Sequence, residues 1–107
     1  MEDEWSVQFL ATAVESLMKL SKGDQAQVTK QAKKLKRAPE QQGDALRHQR
    51  LDLSGCRRLR VGRLRIVFQP MRPTRTVEIL AVGARENEKV YEVAAAELGV
   101  RRLRRIS

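Results

Sequence analysis

At the start of the chain apolar and polar side chains alternate. In "WSVQFL", Trp5, Val7 and Phe9 stand against Ser6 and Gln8, the period of two of a short half-buried strand. Past Thr12 the spacing lengthens to three and four, with Val14, Leu17 and Met18 in "AVESLMKL", which predicts an amphipathic helix. A second helix is predicted over "KGDQAQVTKQAKKLKR". Val28, Ala32 and Leu35 form its apolar stripe, Asp24 is its candidate N-cap, and basic residues crowd the end where the helix dipole favours them. Pro39 stops it, and residues 38–50 read as a polar connection with a turn around Gly43.

Three strands are predicted next, at about 57–61, 64–70 and 75–82, the last carried by the alternating "TVEILAV" and separated from its predecessor by the turn-like "PMRP". "ENEKVYEVAAAEL" returns to helical spacing, with Asn87 as candidate N-cap, Val90, Ala94 and Leu98 in line, and Gly99 as a natural stop. Residues 99–107 read as a basic C-terminal tail. The order β, α, α, β, β, β, α predicts an α+β fold: a mainly antiparallel, curved sheet with helices packed on one face, in a single domain spanning 1–107.

Composition narrows the function. The chain has 107 residues, 41% hydrophobic and 33% charged, enough for one compact core. It contains no run of eighteen apolar residues, and its opening "MEDEWSVQFL" is acidic, so neither a membrane span nor a signal peptide is expected and the expected location is the cytoplasm. A single cysteine, Cys56, and a single histidine, His48, exclude an internal disulfide and leave too few soft ligands for a zinc site, so no metal or cofactor is expected. The net charge is +9 and unevenly placed: residues 1–55 hold nine basic and eight acidic side chains, net +1, and residues 56–107 hold thirteen and five, net +8. Such a field attracts phosphate polymers, and nucleic acid is the first partner to consider.

The excess is densest in "GCRRLRVGRLRIVFQ", residues 55–69, which carries five arginines between positions that belong in a core. With Gly62 as the first central residue of a two-residue type II′ turn, Val61 faces Leu64 and Arg60 faces Arg65. Alternation then puts Leu59, Val61, Leu64, Ile66 and Phe68 on one face and Arg58, Arg60 and Arg65 on the other. Like charges opposite one another destabilise a sheet by roughly 0.2–1 kcal/mol per pair, a cost more easily tolerated where an anion normally covers the cluster. A second stretch, "VGARENEKVYE", places Arg85 at the end of the last strand and Tyr91 one or two turns into the helix that follows. By spacing alone Tyr91 reads as a packed aromatic with its hydroxyl at the surface, Trp5 as core, Cys56 as a small buried filler and His48 as a solvated loop residue.

"RRLRVGRLRIVF" and "ILAVGARENEKVY" at this separation, after an opening strand, a helical pair and "LDLSGCRRLRVG", closely resemble the RelE branch of the RelE/ParE superfamily of bacterial toxins. The resemblance covers nearly the whole chain up to about residue 98. It implies a toxin of a type II toxin-antitoxin system that cleaves messenger RNA in the ribosomal A site and is held inactive by a cognate antitoxin. It also implies a catalytic set: Arg58 and Arg60 on the strand before the turn, Arg65 after it, Arg85 following "VG", and Tyr91 in the closing "VY". The strand pair is lysine in the best-known member and arginine here. Arg63, Arg101, Arg102, Arg104 and Arg105 are further candidates for contact with messenger or ribosomal RNA. The implied chemistry is attack of the 2′-hydroxyl on the adjacent phosphorus, with guanidinium groups stabilising the transition state and Tyr91 the best remaining proton-transfer group. A ParE-like toxin, with the same fold acting on DNA gyrase and no nuclease chemistry, is the alternative; members of that branch generally lack the arginine and tyrosine pair.

Overall fold

The computed structural model describes residues 4–86 and 88–106, with side chains to residue 104. Five strands, β1 (Ser6–Phe9), β2 (Asp44–Ala45), β3 (Arg57–Val61), β4 (Leu64–Met71) and β5 (Thr76–Ala84), form one sheet in the order β1-β5-β4-β3-β2. The helices are α1 (Ala11–Met18), α2 (Lys22–Lys33) and α3 (Lys89–Ile106). β1 runs parallel to β5 and the other pairs are antiparallel, so the α+β class follows the sequence pattern, as does the element order except for β2, which is added within the stretch that reads as a polar connection. Among the described residues no helix is long and apolar enough to cross a membrane.

The layering differs from the expected single helical face. Trp5, Ala13, Val28, Ala32, Leu35, Leu64, Ile66, Phe68, Val77, Ile79 and Val82 form one core under α1 and α2, while Leu46, Leu53, Cys56, Val67, Leu80, Ala81, Val90, Tyr91, Ala94 and Leu98 form a second under α3. The reason lies in β4 and β5. "RIVF" and "VEILAV" carry apolar residues on both faces, so the middle of the sheet has to be covered twice. A bulge sits where Val67 pairs with Ala81 but Phe68 pairs with Ile79, leaving Leu80 as the extra residue. Leu80 and Ala81 therefore both turn toward α3, and Val82 rejoins Val77 and Ile79 on the opposite face.

Local signals explain the element ends. Ser21, not Asp24, caps α2: its hydroxyl accepts the Asp24 N–H at 3.1 Å, and Asp24 adds a carboxylate to the positive end of the helix dipole. The candidate cap Asn87 lies outside the described residues. Gly99 does not end α3, which continues to Ile106, so residues 99–106 are helix and not a loose tail. A mid-helix glycine costs roughly 1 kcal/mol relative to alanine. Buried Leu98 before it and two ion-paired arginines after it hold the last turns in place. Arg101 grips Glu78, a buried carboxylate on β5, through both Nε and Nη2; Arg102 donates to Asp52 at 2.7 Å and to the Ser54 carbonyl at 3.0 Å. Bonds from the Ser54 hydroxyl and amide, then Arg102, hold the Asp52 carboxyl below the usual carboxylate range.

The connection over residues 38–50 is more ordered than its polarity suggests, with a 3-10 turn at Pro39–Gln41 and the short β2 on the sheet edge. Gly43, at φ +67°, precedes β2, and a Cβ there would strike the Arg58 carbonyl carbon at 2.9 Å. Gly43→Ala, wrong in both φ and space, is expected to destabilise the fold by about 2 kcal/mol, read as a lower denaturation midpoint with the slope unchanged. Arg101→Ala removes the guanidinium from a buried carboxylate, and a loss of about 3 kcal/mol is expected in the same measurement.

Candidate functional site

The hairpin sets the site. Gly62 has φ +60° and Arg63 no positive φ, as a type II′ turn requires, and the register pairs Val61 with Leu64 and Arg60 with Arg65. Arg58 faces Val67 and Arg65 faces Gly83, so on the α3 side of the sheet Arg58, Arg60 and Arg65 are adjacent, bordered by the apolar Val67 and Ala81. Arg85 continues from β5 with its N–H on the Arg63 carbonyl at 2.8 Å, which places it beside the hairpin tip. The four arginines of the predicted set thus lie on neighbouring positions of one hairpin and the strand end beside it.

Their charge is only partly offset. Asp44 on β2 approaches Arg58 at 3.7 Å and Arg60 at 3.8 Å, so one carboxylate serves two guanidinium groups. Arg65 turns back on the hairpin and donates to the Gly62 and Leu64 carbonyls at 2.9 and 2.8 Å, which fixes its direction without neutralising it. Arg85 is exposed, with Glu86 3.9 Å from it. Arg60 also lines a groove of about 420 Å³ between α2 and the hairpin tip, shared with Asp24, Gln27, Gln31 and Arg63. The Arg58 Nε is buried with no hydrogen-bond partner.

Tyr91 joins the same face from the first turns of α3. Its ring is buried in the second core, to which Val67, the residue that Arg58 faces across the β3–β4 pair, also belongs. Its hydroxyl has no hydrogen-bond partner among the described residues and is not shut away from solvent. The packed ring with a free tip is the arrangement its spacing suggests. α3 comes this close because β5 carries Gly83 there: a Cβ would meet Val90 at 3.2 Å.

The wider set of RNA-contact candidates separates. Arg63 is tied to Asp24 at 2.7 Å, Arg101 to Glu78 and Arg102 to Asp52, so these three serve as internal links and not as free basic side chains on the arginine face. Arg104 is exposed on α3, and the side chain of Arg105 lies outside the described residues. The pairings of Arg101 and Arg102 follow from α3 continuing past Gly99: once helical, they face carboxylates on β5 and on the loop before β3.

His48 is the residue that sequence reasoning missed. Far from being a solvated loop residue, its side chain is 15% exposed, its Nε2 lies 3.1 Å from Glu88 Oε2, and its ring centroid is 5.9 Å from that of Tyr91. Nothing in the local pattern of "ALRHQR" signals this, because the contact spans forty positions. Among the described residues no group of three or more His, Cys, Asp or Glu could hold a metal ion.

A two-core α+β fold with an arginine-bearing hairpin on the face shared with its last helix defines a small class of proteins. The family described as ParE toxin of type II toxin-antitoxin system, parDE, matches residues 7–88. Among solved structures, a chain of the RelBE2 toxin-antitoxin complex from Mycobacterium tuberculosis is 31% identical over 81% of this chain and 98% of its own, with a TM-score of 0.70. A double mutant of the E. coli toxin RelE in the free state is 23% identical over 88% of this chain and 97% of its own, with a TM-score of 0.71. A chain of the archaeal RelE-RelB complex from Pyrococcus horikoshii is 19% identical over 77% and 96%, with a TM-score of 0.58. The latter two share the fold. A search of curated protein sequences returns no match. The chain belongs to the ParE toxin family of type II toxin-antitoxin systems, within the RelE/ParE superfamily and on its RelE-like side.

Cys56, next to the hairpin, takes no part in this chemistry. Burial pushes its thiol up to about 11, with Arg102 lowering and Asp52 raising it. The thiol is therefore protonated at neutral pH, and it is expected to react slowly with a thiol reagent in the native protein and rapidly in denaturant, as a time course of labelling will show.

Proposed function

We propose that the toxin is a metal-independent endoribonuclease that cuts messenger RNA on the ribosome, acting in the cytoplasm where translation occurs. The observation that carries this reading is the direct pairing of Arg60 with Arg65, with Arg58 beside them and Arg85 at the strand end, a cluster only partly offset by Asp44 near Arg58 and Arg60 and Glu86 near Arg85. Adjacent guanidinium groups can grip the two free oxygens of one phosphodiester and stabilise the charge that builds on them in the transition state. The 2′-oxygen of the preceding ribose bonds to phosphorus, the bond to the 5′-oxygen breaks, and the products are a 2′,3′-cyclic phosphate and a 5′-hydroxyl. The proton leaves the 2′-oxygen and one arrives on the 5′-oxygen.

Roles follow from position. Arg60 and Arg65 hold the phosphate, Arg58 supports them from the half-buried next position, and exposed Arg85 contacts the scissile phosphate or the leaving 5′-oxygen. The arginines stay protonated at any ordinary pH and are poor bases. The free hydroxyl of Tyr91, on the same side of the sheet, is the group that orients and activates the 2′-hydroxyl. With no imidazole nitrogen free to shuttle protons, the toxin relies on the ribosome to present and bend its substrate.

The alternative, poisoning of DNA gyrase by protein contact, is favoured by the ParE description of the matched family. Mapping messenger RNA 5′ ends after brief expression decides between them: cuts within translated codons are expected, whereas intact transcripts with broken DNA establish the gyrase reading. Arg60→Ala, at an exposed position, is expected to lower ribosome-dependent cleavage about 100-fold with the melting temperature unchanged, and Tyr91→Phe to abolish most of it.

A further inference from the structure

The loop over residues 46–51 meets the start of α3 through one imidazole. His48 Nδ1 accepts the N–H groups of Arg50 and Leu51, both at 3.2 Å. A nitrogen that accepts two backbone donors carries no proton, so the proton of the neutral ring sits on Nε2 and is donated to the Glu88 carboxylate at 3.1 Å. Glu88 in turn supplies its carbonyl to the Tyr91 N–H at 3.0 Å and to the Glu92 N–H at 3.3 Å, closing the first turn of α3. The His48 ring then lies against the Tyr91 ring, tilted 46° to it. Leu46 and Leu51, on either side of His48, pack into the same core as Tyr91, and the Leu46 N–H is held by the Cys56 carbonyl at 3.0 Å. The loop is thus anchored to the sheet and reaches across to the helix.

From this geometry we infer that His48 is a positioning residue for Tyr91, acting together with Glu88. The inference rests on the nuclease reading for its consequence in cleavage, but not for the contact itself. His48 is not the missing base. Both its nitrogens are taken by protein partners, so neither is open to a 2′-hydroxyl. It acts on two coordinates of the tyrosine. The Nε2–H bond to Glu88 fixes where the first turn of α3 begins relative to the sheet edge. The ring contact limits how far the phenol can swing away from the sheet face that carries Arg58 and Arg65. A phenol misplaced by about 1 Å loses on the order of 100-fold in a reaction that depends on alignment.

The chain contains one tyrosine and one tryptophan, in separate cores, so each core reports separately. The experiment is NMR of the full-length protein as wild type, His48→Ala, His48→Gln and Glu88→Ala, with single-turnover cleavage of messenger RNA on programmed ribosomes by the same proteins. Glu88 is exposed, so its replacement spares the fold if the loop variant does not. In His48→Ala and Glu88→Ala the Tyr91 ring signals are expected to shift and broaden while the Trp5 indole signal stays in place. The cleavage rate should fall 10- to 100-fold with the ribosome concentration for half-saturation unchanged. In His48→Gln the side-chain amide can still donate to Glu88, and most of the rate and the Tyr91 signals should return. Unmoved Tyr91 signals in both alanine variants overturn the inference, as does full cleavage by them. Should the wild type itself leave RNA intact, the nuclease reading fails, and the Tyr91 signals still decide whether His48 and Glu88 position the ring.

Discussion

β5 lies between β1 and β4, is apolar on both sides, and contains one residue more than its partner needs. Under strict alternation from Val77 and Ile79, Ala81 and Gly83 would fall on the α1 and α2 side. The extra Leu80 reverses this: Leu80 and Ala81 both turn to α3, Val82 returns to the other core, and Gly83 comes to lie under α3 where a bare backbone is required for Val90 to approach. Because Arg65 faces Gly83 and Arg60 faces Arg65, the same shift decides which side of β5 lies level with the arginines. The bulge therefore sets sheet layering and site placement together.

Electrostatics divides the basic half of the chain into two groups. Arg63, Arg101 and Arg102 each meet a carboxylate at close range on another element, and such links join α2 to the hairpin, and α3 to β5 and to the loop before β3. Asp44 stands 3.7 and 3.8 Å from Arg58 and Arg60 and Glu86 3.9 Å from Arg85, where attraction near a solvated surface is modest, and Arg65 donates to backbone carbonyls. The repulsion between Arg60 and Arg65 is therefore retained in the folded protein and is relieved when an anion enters between them.

The strands, the hairpin register and the side of the sheet taken by Arg58, Arg60 and Arg65 were legible because each depends on neighbours within a few positions. Alternation fixes faces, and a glycine in a two-residue turn fixes pairing. The buried ring of Tyr91 was legible from helical spacing, as were Trp5 and Cys56 as core. What escaped depends on distant partners. α3 passes through Gly99 because Arg101 finds Glu78 and Arg102 finds Asp52, and no local propensity contains that information. The second core was hidden because an apolar strand buried on both faces still looks alternating in part, as "TVEILAV" does. Ser21 was overlooked for Asp24 because both are good caps three residues apart, and only the backbone angles distinguish cap from first turn.

The site is built from two bodies with different rigidity. Arg58 and Arg65 stand on strand positions paired on both sides, Arg60 on one paired with β4 alone and Arg85 just past the end of β5, whereas Tyr91 stands on a helix start whose position relative to the sheet depends on packing. Two of the contacts between them lie at the start of α3. Gly83 against Val90 sets how closely α3 approaches β5, and the loop carrying His48 meets Glu88 from the sheet edge. The first is apolar and deep; the second is polar and half exposed, and so is the softer of the two. On the nuclease reading proposed above, the permanently charged guanidinium groups would supply no proton carrier, and the alignment of the one phenol with that charge would be what the fold has to control. The Arg58 Nε is buried and unpartnered on the strand position opposite Val67, a member of the core that also holds Tyr91, so the arginine hairpin and α3 meet through that shared core.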